Sequence, residues 1–215
     1  LNSVGACEFG VKRRRSSCRR NACAVTVRVG VESRGAGTTS NSIRFIPGLA
    51  MRIDKLTTRF QEALAESQTL AVTRDNPYIE PAHVLSAMLA QPEGPKALLD
   101  RAGVKTAALK TSMDTAIDGL PQVQGQGQVV QPGRDLISLL QSAEKEASKQ
   151  GDQFIASEMF LLALADSKSD IGGIARGHGL TRKALEAAIA AVRGGQKVDS
   201  ADAEGQRESL KKYTL

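Results

Sequence analysis

Few residues of this sequence have the types and the spacing that catalysis or cofactor binding requires. The two histidines, His83 and His178, are too few for a convincing zinc site, and they cannot define a Ser, His and Asp arrangement above chance. A phosphate-binding loop needs Gly-Lys-Ser or Gly-Lys-Thr, which does not occur, and the glycines of QGQGQ at 125 and 127 follow no predicted strand. We therefore predict a chain that is not an enzyme and that holds no metal or cofactor.

Binding in a surface groove is the chemistry that remains. Grooves with apolar floors and polar rims bind peptides, and such a groove can form where two helical units meet. Candidate rim residues are Thr57, Asp152 and Glu158, and Leu140 and Met159 could provide an apolar floor. Each type also has an ordinary structural role, as a helix cap, a turn residue, a carboxylate at a helix N-terminus or a core side chain.

An internal repeat supplies the elements that would form this groove. The sequence aligns with itself at an offset of 76 residues without a gap, and the matched positions are apolar or glycine. Identical pairs are Ile79 with Ile155, Leu85 with Leu161, Gly103 with Gly179, and Leu109 with Leu185. His83 matches Met159, which favours a packing role for this histidine over a catalytic one. What is duplicated is therefore a hydrophobic core.

Each copy of the repeat predicts four helices. Apolar residues recur with a helical period from near Thr57, and Pro81 suits the first turn of the second helix because that position needs no backbone donor. Gly103 and Gly179 occupy the places of glycines that end the third helices. The expected fold is all-α, with eight helices arranged as a pseudo-twofold repeat of two four-helix units.

Composition divides the chain into three segments. We predict a disordered or non-native basic extension at 1–50, a double-repeat domain at 51–195, and a polar linker at 196–215. The domain comprises repeat 1 at about 51–119, a connector at 120–132, and repeat 2 at about 133–195.

The basic charge of the chain belongs to the first segment alone. Residues 1–50 carry nine Lys or Arg against two Glu, a net charge of +7, whereas the remaining residues carry 20 basic against 21 acidic side chains. We predict Met51 as the natural start, with a targeting peptide as the alternative, because Arg-rich and Ser-containing tracts can be transit sequences. The near-neutral remainder predicts no nucleic-acid partner, and the absence of 18 consecutive apolar residues predicts no membrane association.

With the repeat established, the sequence resembles the start of the ClpB-type AAA+ protein disaggregases. The stretches that carry the resemblance cover residues 51–215 in order: MRIDKLTTRFQEALAESQTLA, DNPYIEPAHVLSAML, LPQVQG, GDQFIASEMFLLAL and ESLKKYTL. The resemblance implies a double Clp-N repeat domain and a linker towards an ATPase domain outside this chain, where ATP and Mg²⁺ would bind. It also places the family's polar substrate contacts on Thr57, Asp152 and Glu158, and its apolar groove near Leu140 and Met159.

The function that this resemblance implies is substrate recognition. A module of this kind binds exposed hydrophobic segments of unfolded or aggregated proteins and passes them to the AAA+ motor, in a cytoplasmic homohexamer that works with a DnaK-type chaperone. The alternative is the adaptor-docking N-terminal domain of a ClpA- or ClpC-type unfoldase, which shares the double repeat. The LPQVQG and ESLKKYTL stretches favour the ClpB type.

Overall fold

The computed structural model of this chain describes residues 53–91, 94–123 and 130–207. The predicted extension at 1–50 and the predicted start at Met51 lie outside these ranges. The described helices are α1 (Thr58–Thr73), α2 (Pro81–Ala90), α3 (Pro95–Arg101), α4 (Thr106–Asp118), α5 (Arg134–Gln150), α6 (Ser157–Asp166), α7 (Asp170–Gly177) and α8 (Arg182–Arg193). None of the helices in the described ranges has the length and apolarity that crossing a membrane requires.

The predicted repeat is present in the fold. Helices α1 to α4 form a first unit and α5 to α8 a second, and each helix begins 75 or 76 residues after its counterpart. In each unit the second helix is buried almost all round, whereas the first buries a single face that includes Phe60 in α1 and Leu136 in α5. The all-α prediction, with these eight helices in two four-helix units, is confirmed.

Short extended segments cross between the two units. Strand β1 (Tyr78–Ile79) pairs in parallel with β2 (Gln131–Pro132), which directly precedes α5. The symmetric counterpart is a parallel bridge between Ile155, before α6, and Leu56, before α1. The Thr57 amide donates to the Ile155 carbonyl at 3.1 Å, and the Gly133 amide donates to the Ile79 carbonyl at 2.9 Å. In each case, the segment before the second helix of one unit is therefore hydrogen-bonded to the residue just before the first helix of the other unit.

Apolar side chains from both units form a common core. Phe60 of α1 packs against Phe160 of α6 with ring centroids 5.5 Å apart, and both rings are fully buried. Helix α3 also packs against α8, and α4 packs against α7. A tilted aromatic pair at this distance contributes about 1 kcal/mol beyond its buried area.

The third helix of each unit ends in a Schellman motif. After α3, the Val104 amide donates to the Leu99 carbonyl, and after α7 the Leu180 amide donates to the Ala175 carbonyl. The intervening Gly103 and Gly179 have φ of 80° and 96°, a region that strains residues with a Cβ atom. The predicted glycine positions are confirmed.

The segment after α8, for which the sequence predicts a polar linker, packs against the helical body as far as residue 207. Residues 196–207, called the strap below, lie against the second unit, and residues 203–207 are helical. Val198 is fully buried, and its carbonyl accepts from the Gln153 amide at 3.0 Å. The Ala201 carbonyl accepts from the Thr58 amide at 2.8 Å. The strap packs despite its polar composition because it satisfies backbone donors that the helices leave open.

Candidate functional site

Four charged side chains form a buried cluster where the strap meets the second unit. Arg193, at the end of α8, donates from Nη1 to Asp152 Oδ2 at 2.7 Å and from Nε to Glu158 Oε2 at 2.5 Å. Arg207 of the strap donates from Nη1 to Glu158 Oε1 at 3.3 Å. Asp152 Oδ1 accepts from the Val198 amide at 3.0 Å. This Arg193 cluster, comprising Arg193, Asp152, Glu158 and Arg207, joins the turn after α5, the start of α6, the end of α8 and the strap.

The Arg193 cluster is balanced in charge but incompletely bonded. Burial acts to lower the pKa of Arg193, but the charges and hydrogen bonds of Glu158 and Asp152 outweigh it and raise the pKa above the usual value. Among the described residues, Arg193 Nη2 and Thr57 Oγ1 are buried without a hydrogen-bond partner. An unpaired buried polar group costs about 1–3 kcal/mol, so both atoms are suited to a ligand that supplies a partner.

Glu204 of the strap caps helix α6. Its carboxylate accepts from the Ser157 amide at 2.8 Å and from Ser157 Oγ at 2.9 Å. The N-cap residue of α6 is Ala156, which has no side chain to perform this role, whereas the matching residue in the first unit, Glu80, caps α2 itself. Burial first, and the charge of Glu158 second, raise the pKa of Glu204 to about 7.

The structure places the five predicted site residues below the surface, four of them in the second unit and Thr57 at the start of the first. The side chain of Asp152 is fully buried, Thr57 is 0% exposed and Glu158 is 7% exposed. The predicted apolar floor differs more, because Leu140 and Met159 are 2% and 0% exposed and belong to the hydrophobic core. The side chains of these two residues are in the core because α5 and α6 pack against each other.

A small groove opens beside this cluster at the seam between the units. Its volume is about 80 Å³, and α3, α8, the start of α6 and the strap line it. Pro95, Ala97, Leu98 and Val192 form the apolar walls, and the charged lining residues are Arg101, Glu158, Glu204 and Arg207. Of the five predicted residues, only Glu158 lines this groove. The apolar walls and the charged rim of this groove therefore come mostly from residues other than the five predicted ones.

Sequence reasoning did not identify Arg193, Val198, Glu204 or Arg207. Arg193 ends a helix where a basic residue is common, and the other three lie in a segment of linker-like composition. One signal was present, because the repeat offset aligns Ala156 with the capping residue Glu80. A helix start that has lost its own cap must find another acceptor.

His83 has a structural role. Its Nδ1 accepts from the Glu80 amide at 3.0 Å, and its Nε2 lies 3.1 Å from Asn76 Oδ1 and donates to it in the matching tautomer. Burial is the main cause that lowers the pKa of His83. The predicted preference for packing over catalysis fits this capping box. Within the ranges described, no group of three or more His, Cys, Asp or Glu is arranged to hold a metal ion.

These features define a class of protein: a double-repeat, all-helical domain with a groove at the seam between its units. The Clp repeat (R) N-terminal domain family matches residues 55–178, more than half of the chain. The chain belongs to this family.

Relatives and solved structures agree with this assignment. The chain is 43% identical over 166 residues to chaperone protein ClpB of Pseudomonas putida, an alignment that covers 77% of this chain and 19% of the relative. The crystal structure of the Hsp104 N-terminal domain from Candida albicans has a TM-score of 0.60 at 22% identity and covers 70% of this chain and 99% of that one. A complex of the ClpV N-domain with a VipB peptide has a TM-score of 0.52 at 22% identity, covering 70% and 91%.

The resemblance to the N-terminal region of ClpB chaperones is confirmed. The chain spans about a fifth of the length of the curated ClpB relatives that it matches.

Proposed function

We propose that this chain is the substrate-recognition module of an ATP-dependent protein disaggregase. In this proposal it binds exposed hydrophobic segments of unfolded or aggregated proteins and passes them to AAA+ motor domains elsewhere in the full protein. The chain itself contributes recognition and no catalysis. A cytoplasmic homohexamer and a DnaK-type partner chaperone belong to the same proposal.

The seam groove carries this proposal. Unfolded proteins share exposed apolar side chains, and the walls formed by Ala97, Leu98 and Val192 offer them a small apolar surface. The charged rim can select among segments that enter. A groove of about 80 Å³ accepts one side chain at a time, so each contact is weak and tolerant of sequence. Several tethered copies would compensate for weak single contacts by multivalent binding.

The predicted contacts Thr57, Asp152 and Glu158 remain part of the proposal in a modified form. Glu158 lines the groove directly, whereas Asp152 accepts a bond from the strap and Thr57 adjoins Thr58, which donates to the strap. Leu140 and Met159 support this region from the core. Alanine at Asp152 or Glu158 would leave Arg193 with one buried carboxylate partner instead of two, which should lower the stability of the fold. Such variants test stability before they test binding.

Ala97 provides a cleaner test because it lines the groove and is exposed. We expect Ala97→Glu to weaken binding of a fluorescent, permanently unfolded polypeptide by about threefold or more, since it adds bulk and charge to an apolar wall. Ala108→Glu makes the same change at an exposed position of α4 that does not line the groove, and it should bind as the unaltered chain does. Fluorescence anisotropy measures the affinity, and circular dichroism checks the fold.

Two results would contradict the proposal. Equal binding by Ala97→Glu and Ala108→Glu would remove the groove from substrate recognition. Failure of the unaltered chain to bind any unfolded polypeptide would remove the function.

The second candidate function is docking of one defined partner, as in a ClpA- or ClpC-type unfoldase. The ClpV N-domain complex with a VipB peptide favours it, because that domain has this fold and binds a specific segment. A pull-down that compares unfolded proteins with defined adaptor proteins separates the two functions. Retention of one adaptor and no unfolded protein would support docking.

A further inference from the structure

The strap contacts the helical body through backbone and side-chain bonds of the kind that a bound peptide makes. Its Val198 carbonyl and amide bond to the Gln153 amide and to the Asp152 carboxylate, as an added peptide would. Its Ala201 carbonyl reaches the start of α1, and its Glu204 carboxylate reaches the start of α6. Its Arg207 guanidinium reaches Glu158 at the rim of the seam groove. These contacts include two of the three predicted polar contact residues.

Few apolar side chains hold the strap against the helical body. Val198 and Glu204 are its buried side chains, while Lys197, Asp199, Ser200, Asp202 and Gln206 are exposed. Segments with few buried apolar contacts open with a lower free energy than the global fold. Opening would uncover the Ser157 amide, the Asp152 carboxylate and the amide of Thr58 together.

Two polar atoms of the helical body near the strap have no hydrogen-bond partner among the described residues. Arg193 Nη2 and Thr57 Oγ1 are buried without hydrogen-bond partners among the described residues. Both are close to contacts of the strap, because Arg193 pairs with Asp152, which bonds to the strap, and Thr57 precedes Thr58, which also bonds to the strap. The strap therefore leaves two polar atoms unsatisfied. A segment that satisfied one of them would gain an advantage in competing with the strap.

We propose that residues 196–207 are an internal stand-in for the client segment, which must displace them, and that the site prefers segments with the same pattern of side chains. This inference rests on the proposed function, since it concerns the same seam. The pattern is an apolar side chain, a carboxylate six residues later and an arginine three residues after that, as in Val198, Glu204 and Arg207. The apolar side chain enters the pocket of Val198, the carboxylate caps α6 and the arginine pairs with Glu158.

Displacement makes a quantitative prediction. If a fraction of molecules has the strap released, the apparent dissociation constant of a client equals its intrinsic value divided by that fraction. Weakening the strap therefore tightens client binding. A substitution inside an ordinary binding site has the opposite effect.

The experiment uses the full chain and a fluorescent, permanently unfolded polypeptide as the probe. Glu204→Ala should bind this probe about three to ten times more tightly than the unaltered chain. Gln206→Ala, at an exposed position of the same strap, should leave the affinity unchanged. Because Glu204→Ala also removes a helix cap, Arg207→Ala serves as a second variant, and it should tighten binding by a smaller factor. Circular dichroism confirms that each variant is folded.

A peptide in trans tests the proposed pattern. Unlabelled QKVDSADAEGQR, the sequence of residues 196–207, should compete with the probe on Glu204→Ala. The same peptide with alanine at the Glu204 and Arg207 positions should compete at least about threefold less well.

The possible results separate the two proposals. Binding of the probe with equal affinity by the unaltered chain and by both strap variants, or weaker binding by both variants, would overturn the stand-in while the proposed function stands. Equal competition by the two peptides would overturn the predicted pattern. Absence of probe binding by every variant would overturn the proposed function and this inference with it.

Discussion

Glu204 lies in surroundings that favour its neutral form. Burial and the nearby Glu158 carboxylate raise its pKa from 4.5 to about 7, although its bonds to Ser157 and the charge of Arg207 act in the opposite direction. In the unfolded chain this carboxyl loses its proton near pH 4.5, so between pH 4.5 and 7 the folded state binds more protons. Its contribution to stability is therefore full below pH 4.5 and is lost as the pH rises through 7.

This titration predicts a pH dependence of stability. Between pH 6 and 8 the unaltered chain should lose about 1 kcal/mol more than Glu204→Gln, which cannot titrate, and this corresponds to about 2–4 °C in melting temperature. Thermal unfolding followed by circular dichroism at both pH values measures the difference. The comparison cancels the opposite contribution of His83, whose lowered pKa is common to both proteins. Parallel pH profiles for the two proteins would show that Glu204 is ionised throughout.

The ends of the third helices show how the repeat uses glycine. Gly179 has a φ of 96°, and a Cβ atom there would lie 3.6 Å from the Gly103 carbonyl oxygen, an ordinary contact. The backbone angle, and not the available space, therefore requires glycine at this position.

This distinction predicts the effect of two alanine substitutions. Gly179→Ala should lower the free energy of unfolding by about 1–2 kcal/mol because it forces a left-handed conformation on a residue with a Cβ atom. Gly177→Ala, two residues earlier in α7, has open space and an unstrained backbone, so it should leave stability unchanged or raise it slightly. Chemical denaturation measures both values. Equal effects would show that packing, rather than backbone geometry, selects glycine at 179.

The helices could be predicted from the sequence because their positions depend on apolar residues that recur with a regular period. Helices α1 to α8 follow from positions such as Phe60 and Leu136 that recur with the helical period and at the repeat offset. The strap could not be predicted in this way, because Ala201 acts through its backbone carbonyl, which every residue has. Of the candidate site residues, Glu158 lines the seam groove, but the inward orientation of Leu140 and Met159 depends on packing between helices.

Side chains and extended segments of the two units contact each other. Phe60 and Phe160 are not related by the repeat offset, so their contact could not be deduced from the internal alignment. Together with the two crossing segments, this contact ties each unit to the other.

Shared packing predicts that damage in one unit is felt in both. Phe160→Ala should lower the free energy of unfolding by about 3–5 kcal/mol, with an equal loss of protection from hydrogen exchange in α2 and α6. Phe154→Ala removes the same side chain from a half-buried position and should cost less. Faster exchange confined to α5–α8 would instead mean that the two units unfold independently.

The bond between the Thr58 amide and the Ala201 carbonyl ties the strap to the start of α1. A mechanical force that peeled the strap from Arg207 back towards Val198 would load its contacts one after another. Contacts opened in sequence resist little force. Traction along the polypeptide could thus unmask the seam while both helical units stay folded.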